Sequence, residues 1–457
     1  MPLVESFSGI RGIHDDGLDE KVAARYAYSY FSLLKNKYKN KNLKIVIGTD
    51  TRQSRDILKN IVTEVLNCDI IDIGIASTPM TEFAVRHFNA HGGIIITASH
   101  NEPYWNGFKF LDYDGAVLRP KDMETVIKKY RNIKKINIKK ISKKRIIKKY
   151  NEINNAYISY ILNFLDKEDK DKIKNSKLKV IIDPNGGTGI IAKQILEKLN
   201  IKVHGINMEH GIFNRTIEPD EESLIYLANE VRDKNYDFAA GFDCDADRVE
   251  VMTSKGLVSG NQLLALIADE ILKSAKNKVI VVNDATSGIV KDIAKKHNAE
   301  YIETQVGEIN VVDNMYKSKA LIGGEGSSSG IIIPNSRCRD GILTLIYLLK
   351  IMANKEKNLN QLIKTLPEYC YIKRKINIDS KKYSKIKGKL IDFYRKKYKV
   401  KDSKEGSLKV TLKENSFVWF RVSKTESNIL RIIADSPKKS RSESIINEAV
   451  NLIKNKA

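Results

Sequence analysis

Three separated segments of this 457-residue chain repeat one pattern: Leu43–Asp50 (LKIVIGTD), Leu178–Gly189 (LKVIIDPNGGTG) and Lys278–Gly288 (KVIVVNDATSG). Each is a short β-branched run that ends in a polar turn and leads into a helical pattern. That reads as a buried parallel strand feeding a helix, the opening of an α/β unit. Three openings predict three related α/β domains, and the length suggests three or four domains at ~100–150 residues each. Ligands in such folds gather at the C-terminal ends of the strands, where these polar turns lie. The residues after Tyr371 differ: IKRKINI, a Lys-rich helix near Tyr383–Tyr398, SLKVTL, SFVWFRV, ILRIIAD and a closing helix near Ser442–Lys456. Their pattern predicts an antiparallel α+β domain. The expected domains are 1–150, 151–253, 254–370 and 371–457.

Composition narrows the class. Hydrophobic residues at 42% and charged residues at 30% suit a soluble globular protein. No apolar run approaches the ~18 residues of a spanning helix, and MPLVESFSGIRGI carries no visible signal peptide. No membrane partner is expected. Four scattered cysteines, without a C-x-x-C pair, argue against a disulfide framework or a zinc site and for a cytoplasmic setting. The net charge of +23 invites a nucleic-acid reading. However, lysine is enriched throughout, and its densest run, Lys128–Tyr150, lacks the interleaved aromatics of a stacking platform. It is read as a solvated helix or connecting segment, with no nucleic-acid partner and at most a role in attracting an anionic substrate.

The sharpest local signal is Phe242–Arg248, FDCDADR. Asp243, Asp245 and Asp247 alternate with small residues directly after the apolar stretch DFAAGF. In an extended strand that alternation puts three carboxylates on one side, a crowding that is costly unless a cation neutralises it. Oxygen ligands without His or Cys favour Mg²⁺ or Mn²⁺. Arg248 beside them suits a phosphate oxygen.

A second signal is Gly92–Pro103, GGIIITASHNEP, an apolar strand ending in a polar turn. Ser99 there is expected to have an exposed hydroxyl near backbone N–H groups able to bind an anion. His100 adjoins it and can bond phosphate oxygens or move a proton. Lys109, on the segment NGFKF that follows, is placed to reach back toward the same pocket as a phosphate ligand or general acid/base.

TASHN (Thr97–Asn101) together with the aspartate loop resembles the α-D-phosphohexomutases: phosphoglucomutases, phosphomannomutases and phosphoglucosamine mutases. Further motifs fall in that family's order along the whole chain: SGIRG (Ser8–Gly12), GTDTR (Gly48–Arg52), the TP of Ser77–Met80, NGFKF (Asn106–Phe110), NGGTG (Asn185–Gly189), GGEGSSSG (Gly323–Gly330), RDGIL (Arg339–Leu343) and RVSKTE (Arg421–Glu426). The resemblance implies four domains around a central cleft, with one loop from each. It implies that Ser99 is a phosphoserine donor and that Asp243, Asp245, Asp247 and the seryl phosphate bind Mg²⁺. Arg11 and Lys109 would polarise the reacting oxygen and handle its proton. Glu325 and Ser327 would read sugar hydroxyls, and Arg421, Ser423 and Thr425 would hold the non-reacting phosphate. The implied reaction interconverts hexose 6-phosphate and hexose 1-phosphate through a hexose 1,6-bisphosphate. The implied partner is a small phosphosugar, and the implied assembly a monomer or homodimer.

The sugar loop departs from many relatives. It reads GEGSSSG without a histidine, and in TQVGEIN Ile309 stands where a basic residue is common. Both features lean toward archaeal-type members and so toward glucosamine phosphate, with phosphomannomutase/phosphoglucomutase as the alternative. In the phosphate loop, Lys424 replaces the usual Gly or Asn, Ser427 stands where Pro is common, and Arg431 falls one residue late and is left without a role. A metal-dependent phosphatase is the rival from another class. The D-x-D-x-[TV] pattern of the haloacid-dehalogenase-like phosphatases fails here, because Asp247 occupies the Thr/Val position.

Overall fold

The computed structural model describes residues 3–39, 42–133, 145–327, 329–403, 406–423 and 428–456. The three echoing segments form strands Lys44–Thr49, Lys179–Asp183 and Val279–Asn283. Each pairs in parallel with two neighbours, as the β-branched runs predict.

Around Lys44–Thr49 the sheet runs in the order Val4–Ser6, Gly9–His14, Trp105–Leu111, Gly92–Ile96, Lys44–Thr49, Asp69–Ile75, Ile146–Lys148. The strand Trp105–Leu111 is antiparallel to both of its neighbours, with Gly107 opposite Arg11 and Lys109 opposite Ile95. Directly paired residues share a face, so Arg11, Gly107 and Lys109 lie on one side of the sheet. One helix beneath it, Glu20–Lys37, shows why such elements form. Asp19 caps its N-terminus by accepting from the Val22 N–H, and Lys35 and Lys37 sit in its last turn. Tyr26, Tyr30 and Leu34, spaced by four, are buried against Ile45, Ile47, Ile94 and Ile96.

Around Lys179–Asp183 the order is Lys202–Gly205, Lys179–Asp183, Phe238–Phe242, Val249–Thr253, Gly256–Val258. Phe238–Phe242 and Val249–Thr253 form an antiparallel hairpin in which Phe242 faces Val249. The aspartates therefore occupy a hairpin loop, 243–248, and not an extended strand. Ala246 in that loop has a left-handed φ of +53°.

Val279–Asn283 lies between Glu300–Thr304 and Ile322–Gly324, all parallel. The C-terminal sheet is antiparallel throughout, in the order Cys370–Asn377, Ile429–Ser436, Phe417–Val422, Leu408–Thr411, Lys399–Asp402. The α+β expectation holds there, although the short strand Lys399–Asp402 was not foreseen. The basic run is helical up to Asn132, with Lys128, Arg131 and Asn132 exposed and Tyr130 stacked on the buried Tyr26, and residues 134–144 lie outside those described.

The chain divides into two compact units: Met1–Leu263 with Ser328–Leu362, and Leu264–Ser327 with Ile363–Ala457. The three α/β domains and the C-terminal α+β domain are thus shared between two bodies. No described helix is long and apolar enough to cross a membrane.

The close approach of Gly9–His14 to Trp105–Leu111 requires glycine at 107, where a Cβ would lie 2.1 Å from the Ile10 carbonyl oxygen. Gly107→Ala should therefore destabilise by about 1–3 kcal/mol, the usual range for overpacking. A urea titration checks this: the midpoint should fall with the slope unchanged, and an unmoved midpoint contradicts the packing argument.

Candidate active site

The aspartate loop is fixed from several sides within the first unit. The Cys244 carbonyl accepts from both the backbone N–H and the hydroxyl of Thr188, at 2.9 and 3.0 Å. Gly187 permits this approach, since a Cβ there would meet the Cys244 carbonyl at 2.7 Å. Arg215 ion-pairs with Asp183 at 2.6 Å and donates to the Phe242 carbonyl at 2.7 Å. The Ala246 carbonyl accepts from the Gly341 N–H at 3.2 Å, and the Asp245 carbonyl from the Thr78 N–H at 2.9 Å. Asp340 caps the helix Gly341–Lys355, and Ser77 caps Thr78–His87. Both helix starts thus meet the loop.

Asp243, Asp245 and Asp247 are buried, each offering an oxygen within 4.8 Å of the others. The convergence expected from their spacing is present, though a turn produces it. Their oxygens are divided. Asp245 Oδ2 accepts from Thr78 Oγ1 at 2.6 Å and Lys109 Nζ at 2.7 Å. Asp247 Oδ2 accepts from Lys109 Nζ at 3.0 Å and Arg339 Nη2 at 3.2 Å. The Oδ1 atoms of Asp245 and Asp247 are buried and accept no hydrogen bond. Asp243 receives Ser99 Oγ at 3.2 Å on one oxygen and the Arg248 N–H at 3.2 Å on the other.

A buried carboxylate oxygen without a hydrogen bond is costly, and three convergent carboxylates of which two keep such an oxygen fit a hard divalent cation. The protein hydrogen-bonds one oxygen of Asp245 and of Asp247 and leaves the other without a hydrogen bond, with Arg248 Nε 3.8 Å from that of Asp247. Electrostatics agree. Burial, then the neighbouring Asp247 and Asp245, push the Asp243 carboxyl well above its ordinary range. Burial alone would raise Asp247 too, but Arg339, Lys109 and Arg248 outweigh it and hold that carboxyl far below.

Ser99 sits at the end of Gly92–Ile96, as expected, but its side chain is 1% exposed, so the exposed hydroxyl foreseen from the turn is not found. The reason is that the aspartate loop and His100 cover it, with Asp243 Oδ2 3.2 Å and His100 Nδ1 3.4 Å from Ser99 Oγ. His100 Nδ1 lies 3.4 Å from Ser99 Oγ, and His100 Nε2 lies 3.3 Å from Glu218 Oε2. The other oxygen of Glu218 pairs with Arg248 Nη1 at 2.5 Å. Arg11 Nη1 donates to Asn101 Oδ1 at 2.8 Å, and burial, helped by the nearby Arg248, pushes its guanidinium down to about 10. The first unit therefore gathers Arg11, Ser99, His100, Lys109, the three aspartates and Arg248. Lys109 spends its donors on Thr78, Asp245 and Asp247, so it orients carboxylates as a charged ammonium.

The second unit carries the remaining candidates. Glu325 follows the strand Ile322–Gly324, and its Oε1 accepts from Asn283 Nδ2 and the Gly307 N–H, both at 2.8 Å. The Ser327 carbonyl accepts from Lys373 Nζ at 2.6 Å. Arg421 lies on Phe417–Val422, and the Ser423 N–H donates to the Ile429 carbonyl at 2.7 Å across the strand ends. Thr425 and Lys424 lie outside the described residues. Strand register answers the question left at Arg431: it stands directly opposite Arg421, with Lys375 opposite it on the other side. All three cations share one face. Sequence spacing could not show this, because the loop length hides the register. Thr78, Glu218 and Arg339 were also given no role. Two of them lie in motifs already visible, TP and RDGIL, while Glu218 carried no local signal.

Comparison with known proteins bears on these loops. Residues 5–137, 155–256 and 259–369 match the phosphoglucomutase/phosphomannomutase alpha/beta/alpha domains I, II and III. A phosphoglucomutase/phosphomannomutase of Thermococcus kodakarensis is 32% identical, over 97% of this chain and 97% of its own. A probable phosphoglucosamine mutase of Pyrococcus horikoshii is 31% identical, over 98% and 97%. Among solved structures, a putative phosphomannomutase from Thermus thermophilus superposes with a TM-score of 0.83 at 23% identity, over 99% of each chain. An Aspergillus fumigatus N-acetylphosphoglucosamine mutase, solved with GlcNAc-6P and magnesium, gives 0.62 at 14% identity over 99% of this chain and 96% of its own. With three successive domains matched and relatives alike from end to end, the chain belongs to the phosphoglucomutase/phosphomannomutase family, the α-D-phosphohexomutases.

Proposed function

We propose that this chain is a Mg²⁺-dependent phosphohexomutase that interconverts hexose 6-phosphate and hexose 1-phosphate through phosphorylated Ser99, with glucosamine phosphate as its preferred substrate. The observation that carries the reading is the meeting of Ser99 Oγ with Asp243 at 3.2 Å, beside two aspartates that each keep one buried oxygen without a hydrogen bond. A reactive serine alone fits many chemistries. Joined to a cation site and to a cationic face on a separate sheet, it fits a phosphate carrier with a second phosphate to hold.

Phosphoryl transfer asks a protein mainly for positioning and charge neutralisation. Bound Mg²⁺ would supply charge neutralisation to the transferring phosphoryl group. Asp243, Asp245 and Asp247, with the seryl phosphate, would hold it, while Thr78, Lys109 and Arg339 fix the carboxylates of Asp245 and Asp247. Arg11, Lys109 and Arg248 add the positive field in which the sugar oxygen approaches. His100, backed by Glu218, stands where a proton can pass to or from Ser99 Oγ. Glu325 and Ser327 read the sugar hydroxyls, and Arg421, Ser423 and Thr425, with Arg431 on the same face, hold the phosphate that is not reacting. The hexose 1,6-bisphosphate formed in the first transfer turns end over end and gives its other phosphate back to Ser99. On this reading the four domains at 1–150, 151–253, 254–370 and 371–457 contribute the serine, metal, sugar and phosphate loops in turn.

The preference for glucosamine rests on the sugar loop, GEGSSSG without a histidine, and on several relatives described as probable phosphoglucosamine mutases. The T. kodakarensis relative at 32% carries the glucose and mannose description, which makes that pair the alternative.

Ser99→Ala should lose turnover by at least ~10³-fold, about 4 kcal/mol in the barrier, in a coupled assay primed with hexose 1,6-bisphosphate. Full activity in that variant sinks the reading. Asp245→Asn, nearly isosteric, should fold yet lose the rise in melting temperature that Mg²⁺ gives the unaltered protein, a rise worth about 2.7 kcal/mol at a hundred times Kd. An equal Mg²⁺ response in both would remove Asp245 from the metal site. Side by side, glucosamine phosphate should show the highest kcat/KM among glucosamine, glucose and mannose phosphates. A lead for mannose or glucose overturns the sugar assignment alone.

A further inference from the structure

The motif Gly48–Arg52, GTDTR, has no part in the reaction as proposed, yet it holds a fully buried ion pair. Asp50 and Arg52 are both 0% exposed, with Arg52 Nη1 2.6 Å from Asp50 Oδ2. Asp50 Oδ1 also accepts the Arg52 backbone N–H at 2.9 Å, which folds the loop on itself. The second guanidinium nitrogen points elsewhere. Arg52 Nη2 donates to the carbonyl of Ser99 at 3.1 Å and to the carbonyl of Asn101. The strands explain how it gets there. Lys44–Thr49 and Gly92–Ile96 are parallel neighbours with Thr49 opposite Ile96, and the Asp50 N–H continues the ladder to the Ile96 carbonyl at 2.9 Å. The two loops therefore leave the sheet side by side.

Stability does not account for this pair. Taking two charges out of water is expensive, and apolar residues of similar volume often serve a core equally well or better. An apolar pair cannot offer a rigid fork of donors to two carbonyls of one turn. That turn needs holding, since Ser99 is a non-glycine residue at φ +53°. Its backbone is also tied locally, by the Ser99 N–H on Thr97 Oγ1 and the Asn101 N–H on the Ala98 carbonyl. Arg11 also bonds the Asn101 side chain, so a shift of this turn would carry Arg11 with it.

We propose that Asp50 and Arg52 are positioning residues for the phosphoryl carrier: the pair clamps the carbonyls of Ser99 and Asn101 and so holds Ser99 Oγ against Asp243. The inference rests on the mutase reading and names residues that act in it without touching substrate.

Two variants test it. Arg52→Lys keeps the charge but cannot serve Asp50 and both carbonyls with one fork. The double variant Asp50→Leu/Arg52→Met removes both charges together and leaves no buried ion alone. Each should melt cooperatively and lose kcat by on the order of tenfold to a hundredfold, as displacement of a reacting group does. KM for the hexose phosphate should stay within about twofold, because the residues that read sugar and phosphate lie on other loops. A folded variant with unaltered kcat, or a loss confined to KM, overturns the clamp. The unaltered protein is the control, incubated with glucose 1,6-bisphosphate and followed by mass for one added phosphate on Ser99. If it takes up none, the mutase reading falls and the clamp with it. If it does and the variants turn over at its rate, the clamp alone falls.

Discussion

Three carboxylates buried within 4.8 Å of one another cannot stand together without positive charge, and the first unit is arranged around that constraint. The cations come from separate places in the chain: Lys109 from a central strand, Arg248 from the far end of the hairpin loop, Arg339 from the residues before the helix Gly341–Lys355. Each must arrive at the right height, which fixes the register of Trp105–Leu111 and the approach of that helix. Thr78 adds a neutral donor from the start of a third element. The loop is thus a point where local turn geometry and long-range packing have to agree.

The way the oxygens are shared separates holding from binding. Lys109, Arg339 and Thr78 meet the Oδ2 atoms of Asp245 and Asp247, and neither Oδ1 atom accepts a hydrogen bond, although Arg248 Nε lies 3.8 Å from that of Asp247. A loop stabilised purely by protein cations would use all its acceptors. The residue pattern asks for one more positive group, bound in a small oxygen-lined space, and Ser99 stands beside it. Arg52 and Asp50 extend the same logic to the serine, setting a buried charge where an exact backbone position matters more than stability.

Much of this was legible in the residues. The β-branched runs before GTD, DPNGG and NDATSG announced parallel strands because burial on both faces leaves no alternation to read. The aspartate spacing announced convergence, but for the wrong reason. An extended strand was assumed, whereas Phe242 opposite Val249 closes a hairpin and Ala246 turns left-handed within it. Ser99 was placed correctly at a strand end and wrongly in solvent, since the aspartate loop that covers it lies 144 residues further along the chain. Arg339, Thr78 and Glu218 were invisible as partners because they meet the loop across 92, 167 and 30 residues of chain. Arg431 was set aside for sitting one residue late, and the strand register places it facing Arg421.

The central claim is that Ser99 carries phosphate reversibly between two positions of one sugar. Its most direct test is a rapid-quench chase of protein carrying a radiolabelled phosphate on Ser99 with unlabelled hexose 6-phosphate. The account predicts that label leaves Ser99 within a single turnover and appears first in hexose bisphosphate, then in hexose monophosphate. Label that stays on the protein through many turnovers, or departs as inorganic phosphate, would contradict it.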